Sequence, residues 1–171
     1  MLKLEAYIRD IPDFPKPGIV FKDITPLLAD PTAGKSCLKQ LIALTDGAKI
    51  DKVVGIEARG FFFGMLLAEH LGVGFVPVRK PGKLPFATLK EPYLLEYGMD
   101  ALEIHEDAIQ KGDRVLVHDD VLATGGTARA TCNLVESLGG KIVQCNFIMQ
   151  LTDLNGGEKL KNHPVASLFK F

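Results

Sequence analysis

The stretch Val115–Thr127, VLVHDDVLATGGT, restricts what this chain can fold into more than any other segment. Its apolar part, within Arg114–His118, is far too short to span a membrane and is of the kind buried on both faces of a parallel sheet. Two acids, Asp119 and Asp120, come next, and a short turn carries Thr124, Gly125, Gly126 and Thr127 into a helical pattern over roughly Thr127–Leu138, stopped by Gly139-Gly140. A strand, a glycine turn and a helix in that order make a βα unit, and ligands of such sheets bind at the carboxyl ends of the strands.

The same alternation recurs along the chain, so the expected fold class is α/β, a central mostly parallel sheet flanked by helices. Lys52–Glu57 and Gly74–Arg79 read as strands around a helix over Gly60–Leu71, and Lys141–Leu151 as a further strand. Asp30-Pro31 suits the cap and first residue of a helix reaching about Thr45. Two segments read as irregular: Ile11–Leu28, with four prolines interleaved with Phe14, Val20 and Phe21, and Lys80–Pro92, a length typical of lids and binding loops. Leu94–Tyr97 and Ala101–His105 suggest a hairpin, and Phe61, Phe62 and Phe63 read as mostly core.

With 171 residues the chain has room for about one domain. Lys and Arg total 20 against 21 Asp and Glu, a net charge of −1, so the molecule as a whole attracts neither nucleic acid nor an anionic membrane. The three cysteines, Cys37, Cys132 and Cys145, form no C-x-x-C pair and read as free thiols of a reducing compartment. Lys3, Glu5, Arg9 and Asp10 interrupt any apolar leader, which makes a cytoplasmic location the expectation. His70, His105, His118 and His163 lack partners at zinc-ligand spacing, and Ser36, Ser137 and Ser167 lack the context of a nucleophile elbow.

The chemistry of the leading motif points to a sugar phosphate. Glycines let backbone N–H groups converge on an anion, the helix start adds unpaired N–H groups, and Thr124 and Thr127 supply hydroxyls. Asp119 and Asp120 would repel a phosphate, so they suit the hydroxyls of the adjoining sugar; phosphate and diol together describe a ribose 5-phosphate. Arg59, just after the strand Lys52–Glu57, lies at the same sheet edge and has the planar fork that binds pyrophosphate in two places, although an ion pair with Glu57 would also satisfy it. Arg79, Lys80 and Lys83 reach that edge from the next strand end, whereas Lys90 reads as a solvated charge.

VLVHDDVLATGGT resembles the 5-phosphoribosyl-1-pyrophosphate (PRPP) motif of the type I phosphoribosyltransferases. VGIEARGFFFG, Val54–Gly64, resembles the pyrophosphate-side loop of the adenine-specific members, and FPKPGIVFKDITPLL, Phe14–Leu28, their base-binding segment; His118 departs from a position more often apolar. The resemblance covers nearly the whole chain. It implies the type I phosphoribosyltransferase fold, one domain over 1–171 with an N-terminal hood of about 1–30 and a flexible lid loop of about 80–92. It also implies transfer of ribose 5-phosphate from PRPP to adenine, giving AMP and pyrophosphate in purine salvage, with Mg²⁺ carried by PRPP, no direct protein metal site, and a homodimer.

By the same resemblance Asp119, Asp120, Ala123, Thr124, Gly125, Gly126 and Thr127 hold the ribose and its phosphate, and Arg59, Arg79, Lys80 and Lys83 the pyrophosphate. Val20, Phe21 and Lys22 face adenine, and Glu96 and Tyr97 of the LEYG motif join Arg59 as catalytic residues, Glu96 handling a purine nitrogen proton. A 6-oxopurine or orotate-like base stays open. A PRPP-sensing regulator of DNA is disfavoured by the charge of −1 and the lack of a basic helix-turn-helix.

Overall fold

The structure, a computed structural model, describes residues 2–95 and 98–171, and the chain divides into two compact units, Met1–Gln40 and Leu41–Phe171. In the first unit β1 (Arg9–Pro12) pairs antiparallel with β2 (Val20–Asp23), from Arg9 opposite Asp23 to Pro12 opposite Val20. Part of the segment read as irregular is therefore a hairpin. It is tied by charge: Arg9 Nη2 lies 2.6 Å from Asp23 Oδ2, and Lys22 Nζ 2.7 Å from Asp10 Oδ1. Four-residue strands held by such pairs leave no apolar alternation to read. After α1 (Thr25–Ala29) comes α2 (Pro31–Leu44), where Asp30 Oδ1 accepts the N–H groups of Thr32 and Ala33, both at 2.8 Å, the expected cap.

The second unit contains β3 (Lys52–Ile56), α3 (Gly60–Leu71), β4 (Gly74–Val78), β5 (Thr88–Leu95), β6 (Gly98–His105), β7 (Arg114–Leu122), α4 (Gly126–Ser137), β8 (Lys141–Gln150) and β9 (Val165–Lys170). Its main sheet is five-stranded and wholly parallel in the order β4-β3-β7-β8-β9. The expected α/β architecture, a central parallel sheet flanked by helices, is thus present, with β3 and β7, the strands that lead to the site, adjacent in it. Val54, Ile56, Val115, Val117 and Phe147 fill the core with Leu134 of α4, which is why the runs that build β3 and β7 are almost purely apolar.

Three boundaries differ from the sequence reading. β7 runs through the acid pair to Leu122, because its ladder with β8 continues to Leu122 opposite Gln150. The irregular stretch expected over Lys80–Pro92 ends at Ala87: β5 and β6 form a full eight-residue antiparallel ladder, Thr88 opposite His105 through Leu95 opposite Gly98. β9 and two short 3₁₀ turns, Thr152–Leu154 and Gly156–Leu160, follow β8, where half-exposed residues carry no clear period. Of the three phenylalanines of α3, Phe63 is buried, Phe61 packs edge-on to Phe75 at 5.7 Å, and Phe62 faces outward.

Between β7 and α4 the backbone makes a close approach that no side chain could share. Gly125 has φ +75°, and a Cβ there would sit 2.3 Å from the Gly156 carbonyl oxygen; a Cβ on Gly156 would sit 2.1 Å from the Ala123 carbonyl. Gly125→Ala therefore meets both a left-handed backbone and a backbone clash. It should lower stability by about 2 kcal/mol or more, a fall in Tm of at least ~4 °C. An unchanged Tm in thermal unfolding would contradict this close packing of the turn.

Candidate active site

At the carboxyl ends of β3 and β7 is a cavity of about 150 Å³, walled by Glu57–Arg59, Asp119–Leu122, Ala123–Gly125 and Thr127. Of the expected residues it gathers Arg59, Asp119, Asp120, Ala123, Thr124, Gly125 and Thr127 on one surface. Gly126, which does not line this cavity, opens α4 between Gly125 and Thr127, which do, so the unpaired N–H groups of the helix start lie next to it.

Asp119 and Asp120 are almost fully buried. The Asp120 N–H donates to Asp119 Oδ1 at 2.9 Å, and Arg59 Nε lies 3.0 Å from Asp120 Oδ2. Burial first, and the neighbouring Asp120 charge second, push the Asp119 carboxyl well above its ordinary pKa. Burial also raises Asp120, with the Arg59 guanidinium opposing it. Among the described residues the carboxylate that Arg59 pairs with is Asp120 and not Glu57, the alternative the sequence offered. α3 can come this close because its first residue is glycine: a Cβ on Gly60 would lie 2.9 Å from both Asp119 Oδ1 and the His118 carbonyl.

Glu57 instead gathers the basic residues of the next strand end. Its carboxylate accepts Arg79 Nη2 at 3.1 Å and the Lys80 N–H at 2.8 Å, and Lys83 Nζ lies 3.8 Å away. Burial pushes Glu57 up, but these donors outweigh it and hold the carboxyl below its usual value. Arg79, Lys80 and Lys83 thus sit beside the cavity, linked to it through Glu57, and do not line it. Lys80 points its ammonium at the hairpin, where Nζ donates to Tyr93 Oη at 2.6 Å and pairs with Asp100.

Sequence reasoning had no signal for Glu57 as a hub, for Asp100 and Tyr93, or for Gly156, because each acts through a partner distant in the chain. It did single out His118, which is fully buried with Nδ1 2.8 Å from Asn146 Oδ1 across the β7–β8 ladder. Burial lowers its pKa to about 4, so the ring is neutral near pH 7, with Nδ1–H donating to the Asn146 oxygen. Val20, Phe21 and Lys22 stand on β2 of the first unit, where Lys22 is paired with Asp10 and Phe21 packs edge-on to Phe14 at 5.3 Å. Glu96 and Tyr97 lie outside the described residues. Among the described residues no three His, Cys, Asp or Glu side chains converge to hold a metal, and no helix is long and apolar enough to cross a membrane.

The model of the phosphoribosyl transferase domain family matches residues 26–171. An adenine phosphoribosyltransferase of Flavobacterium johnsoniae is 66% identical over 170 residues, covering 99% of this chain and 100% of that protein. The crystal structure of adenine phosphoribosyltransferase from Thermoanaerobacter pseudethanolicus superposes with a TM-score of 0.97 at 54% identity, over 99% of this chain and 98% of that one. The Saccharomyces cerevisiae enzyme, solved with an imino-altritol bisphosphate and adenine, has a TM-score of 0.92 at 44% identity, over 97% of this chain and 96% of its own. By sequence along its whole length and by fold, this chain belongs to the phosphoribosyltransferases and, within them, to the adenine phosphoribosyltransferase family.

Proposed function

We propose that the cavity between Arg59 and the acid pair binds PRPP and transfers its ribose 5-phosphate to N9 of adenine, releasing pyrophosphate and forming AMP. The observation that carries this reading is the placement of two buried carboxylates, a guanidinium and a glycine turn at a helix start on one wall. The 5-phosphate sits on the Ala123–Thr127 turn, where unpaired N–H groups and two hydroxyls meet it. Asp119 and Asp120 accept hydrogen bonds from the ribose diol. Adenine and an imino-altritol bisphosphate in the complex of the yeast relative support the pairing of a base with a phosphorylated sugar.

In the reaction the N9–C1 bond of the nucleotide forms, the C1–O bond to pyrophosphate breaks, and the purine loses one proton. The sugar passes through an oxocarbenium-like state, so positive charge grows at C1 while negative charge grows on the leaving group. Asp119 and Asp120 lie on the cationic side; Arg59, with Arg79, Lys80 and Lys83 close by, serves the anionic side. Phosphate binding at the turn is remote from C1 and holds the sugar in place. Mg²⁺ bound with PRPP would neutralise part of the pyrophosphate charge. The adjacent Asp119 and Asp120 carboxyls, opening on the cavity, suit an ion held mainly by PRPP oxygens. Glu96 takes the purine proton and Tyr97 packs over the substrates, as the family motif implies, with Val20, Phe21 and Lys22 reading the base. The segment after β4 closes as a lid to exclude water.

The chain acts as a cytoplasmic homodimer. Phe62, Met65 and Leu66 make an apolar stripe on α3 at one-turn spacing and are 49%, 53% and 45% exposed, more than an isolated helix face needs to leave in water. Three unbridged thiols accord with a reducing compartment.

Incubation with Mg-PRPP and each of adenine, hypoxanthine, guanine, xanthine and orotate should release pyrophosphate with adenine alone; no release with any base would overturn the enzymatic reading. Arg59→Ala should raise the KM for PRPP about tenfold or more while the AMP affinity changes little, since it removes a charge-assisted contact to the leaving group. Equal losses for both ligands would make Arg59 structural. Leu66→Glu should convert the dimer to a monomer in light scattering after size exclusion, and a dimer retained at micromolar concentration would remove α3 from the interface.

A further inference from the structure

Lys80 is the basic residue whose side chain and main chain point to different places. Its N–H is fixed to Glu57 Oε2 at 2.8 Å, and Arg79 beside it exchanges two backbone hydrogen bonds with Glu103 of β6, at 2.9 and 2.7 Å. The backbone is thereby clamped between the end of β3 and the hairpin. The ammonium turns away from the cavity into a triangle on the hairpin. It donates to Tyr93 Oη at 2.6 Å and to Asp100 Oδ2, and Tyr93 Oη donates to the same Asp100 oxygen at 3.1 Å. The other carboxylate oxygen, Oδ1, accepts the Ala101 N–H at 2.7 Å, so Asp100 is held in place from its own backbone.

This arrangement takes up two of the three ammonium donors and directs them at residues that do not line the Arg59 cavity. An ammonium so engaged cannot meet an anion in that cavity with full charge and geometry until it leaves Asp100. Side-chain exposures of 38% for Lys80 and 30% for Asp100 put the pair in the range where solvent screening keeps an ion pair weak enough to be exchanged.

We propose that Asp100 and Tyr93 are positioning residues that hold Lys80 on the hairpin in the ligand-free enzyme, and that pyrophosphate competes with the Asp100 carboxylate for the Lys80 ammonium. The exchange rests on the reading of Lys80 as a pyrophosphate ligand and adds that its affinity for that ligand is reduced by an internal acidic competitor. The competition predicts a direction that a supporting role in the fold would not: removing the Asp100 charge makes binding tighter.

The test is calorimetric titration of Mg-pyrophosphate into the intact wild-type enzyme, Asp100→Asn, Lys80→Met and the double variant, together with the KM values of the active forms. Asp100→Asn keeps the shape of the side chain and a carbonyl for Tyr93 to reach. It should tighten pyrophosphate and lower the KM for PRPP about two- to fivefold, with the KM for adenine unchanged. Lys80→Met should weaken pyrophosphate, and in that background Asp100→Asn should have no further effect. Unchanged or weaker pyrophosphate binding in Asp100→Asn, with Lys80→Met still impaired, would overturn the exchange alone. Tightening that persists in the double variant would overturn it too, since the effect would not pass through Lys80. Full affinity in Lys80→Met would overturn the exchange and the assignment of Lys80 to pyrophosphate together.

Discussion

Two carboxylates side by side at the end of a buried strand repel each other and lose hydration, and the chain contains that cost by setting Arg59 3.0 Å from Asp120. The contact joins the turn after β3 to the acid pair of β7, two adjacent interior strands of the parallel sheet. Arg59 comes within reach only because the helix that follows it opens on Gly60, packed against Asp119 and the His118 carbonyl. The close approach of α3 to β7 and the direction of Arg59 together bring one cation to a buried acid pair.

Several other charges are paired locally rather than across the site. Glu57 absorbs Arg79 and Lys83, Asp100 absorbs Lys80, and in the first unit Arg9 and Lys22 take Asp23 and Asp10. Each of these pairs holds an irregular segment or a strand end. Such pairs are weak where exposed and exchangeable by a multiply charged ligand, which suits a site that must bind a pyrophosphate and then release it. Asp119 and Asp120 differ: they are buried, and burial raises both carboxyls above their ordinary pKa.

The central sheet was legible because buried parallel strands are continuous apolar runs: β3, β7 and β8 were read within a few residues, and α3 in full. The phosphate turn was legible because glycines before a helix have a chemical reason to be there, and the Gly125–Gly156 approach adds a steric one. What escaped the sequence was whatever depends on pairing between distant residues. The β1–β2 hairpin is built on cross-strand charges, the β5–β6 ladder extends through polar residues and Pro92, and β9 is a half-exposed edge strand. For Arg59 the sequence offered Glu57, two residues away, as an ion-pair partner, and the close packing of α3 on β7 brings Asp120 to it instead.

The central claim is that the Arg59 cavity is a PRPP site, with the diol on the acid pair and the 5-phosphate on the turn. A crystal structure of the enzyme with Mg-PRPP tests it most directly. The account predicts 5-phosphate oxygens within hydrogen-bond distance of the N–H groups between Thr124 and Thr127, both ribose hydroxyls on Asp119 and Asp120, and the pyrophosphate toward Arg59. A sugar lying away from the acid pair, or a 5-phosphate held by Arg79 and Lys83 instead of the turn, would contradict it.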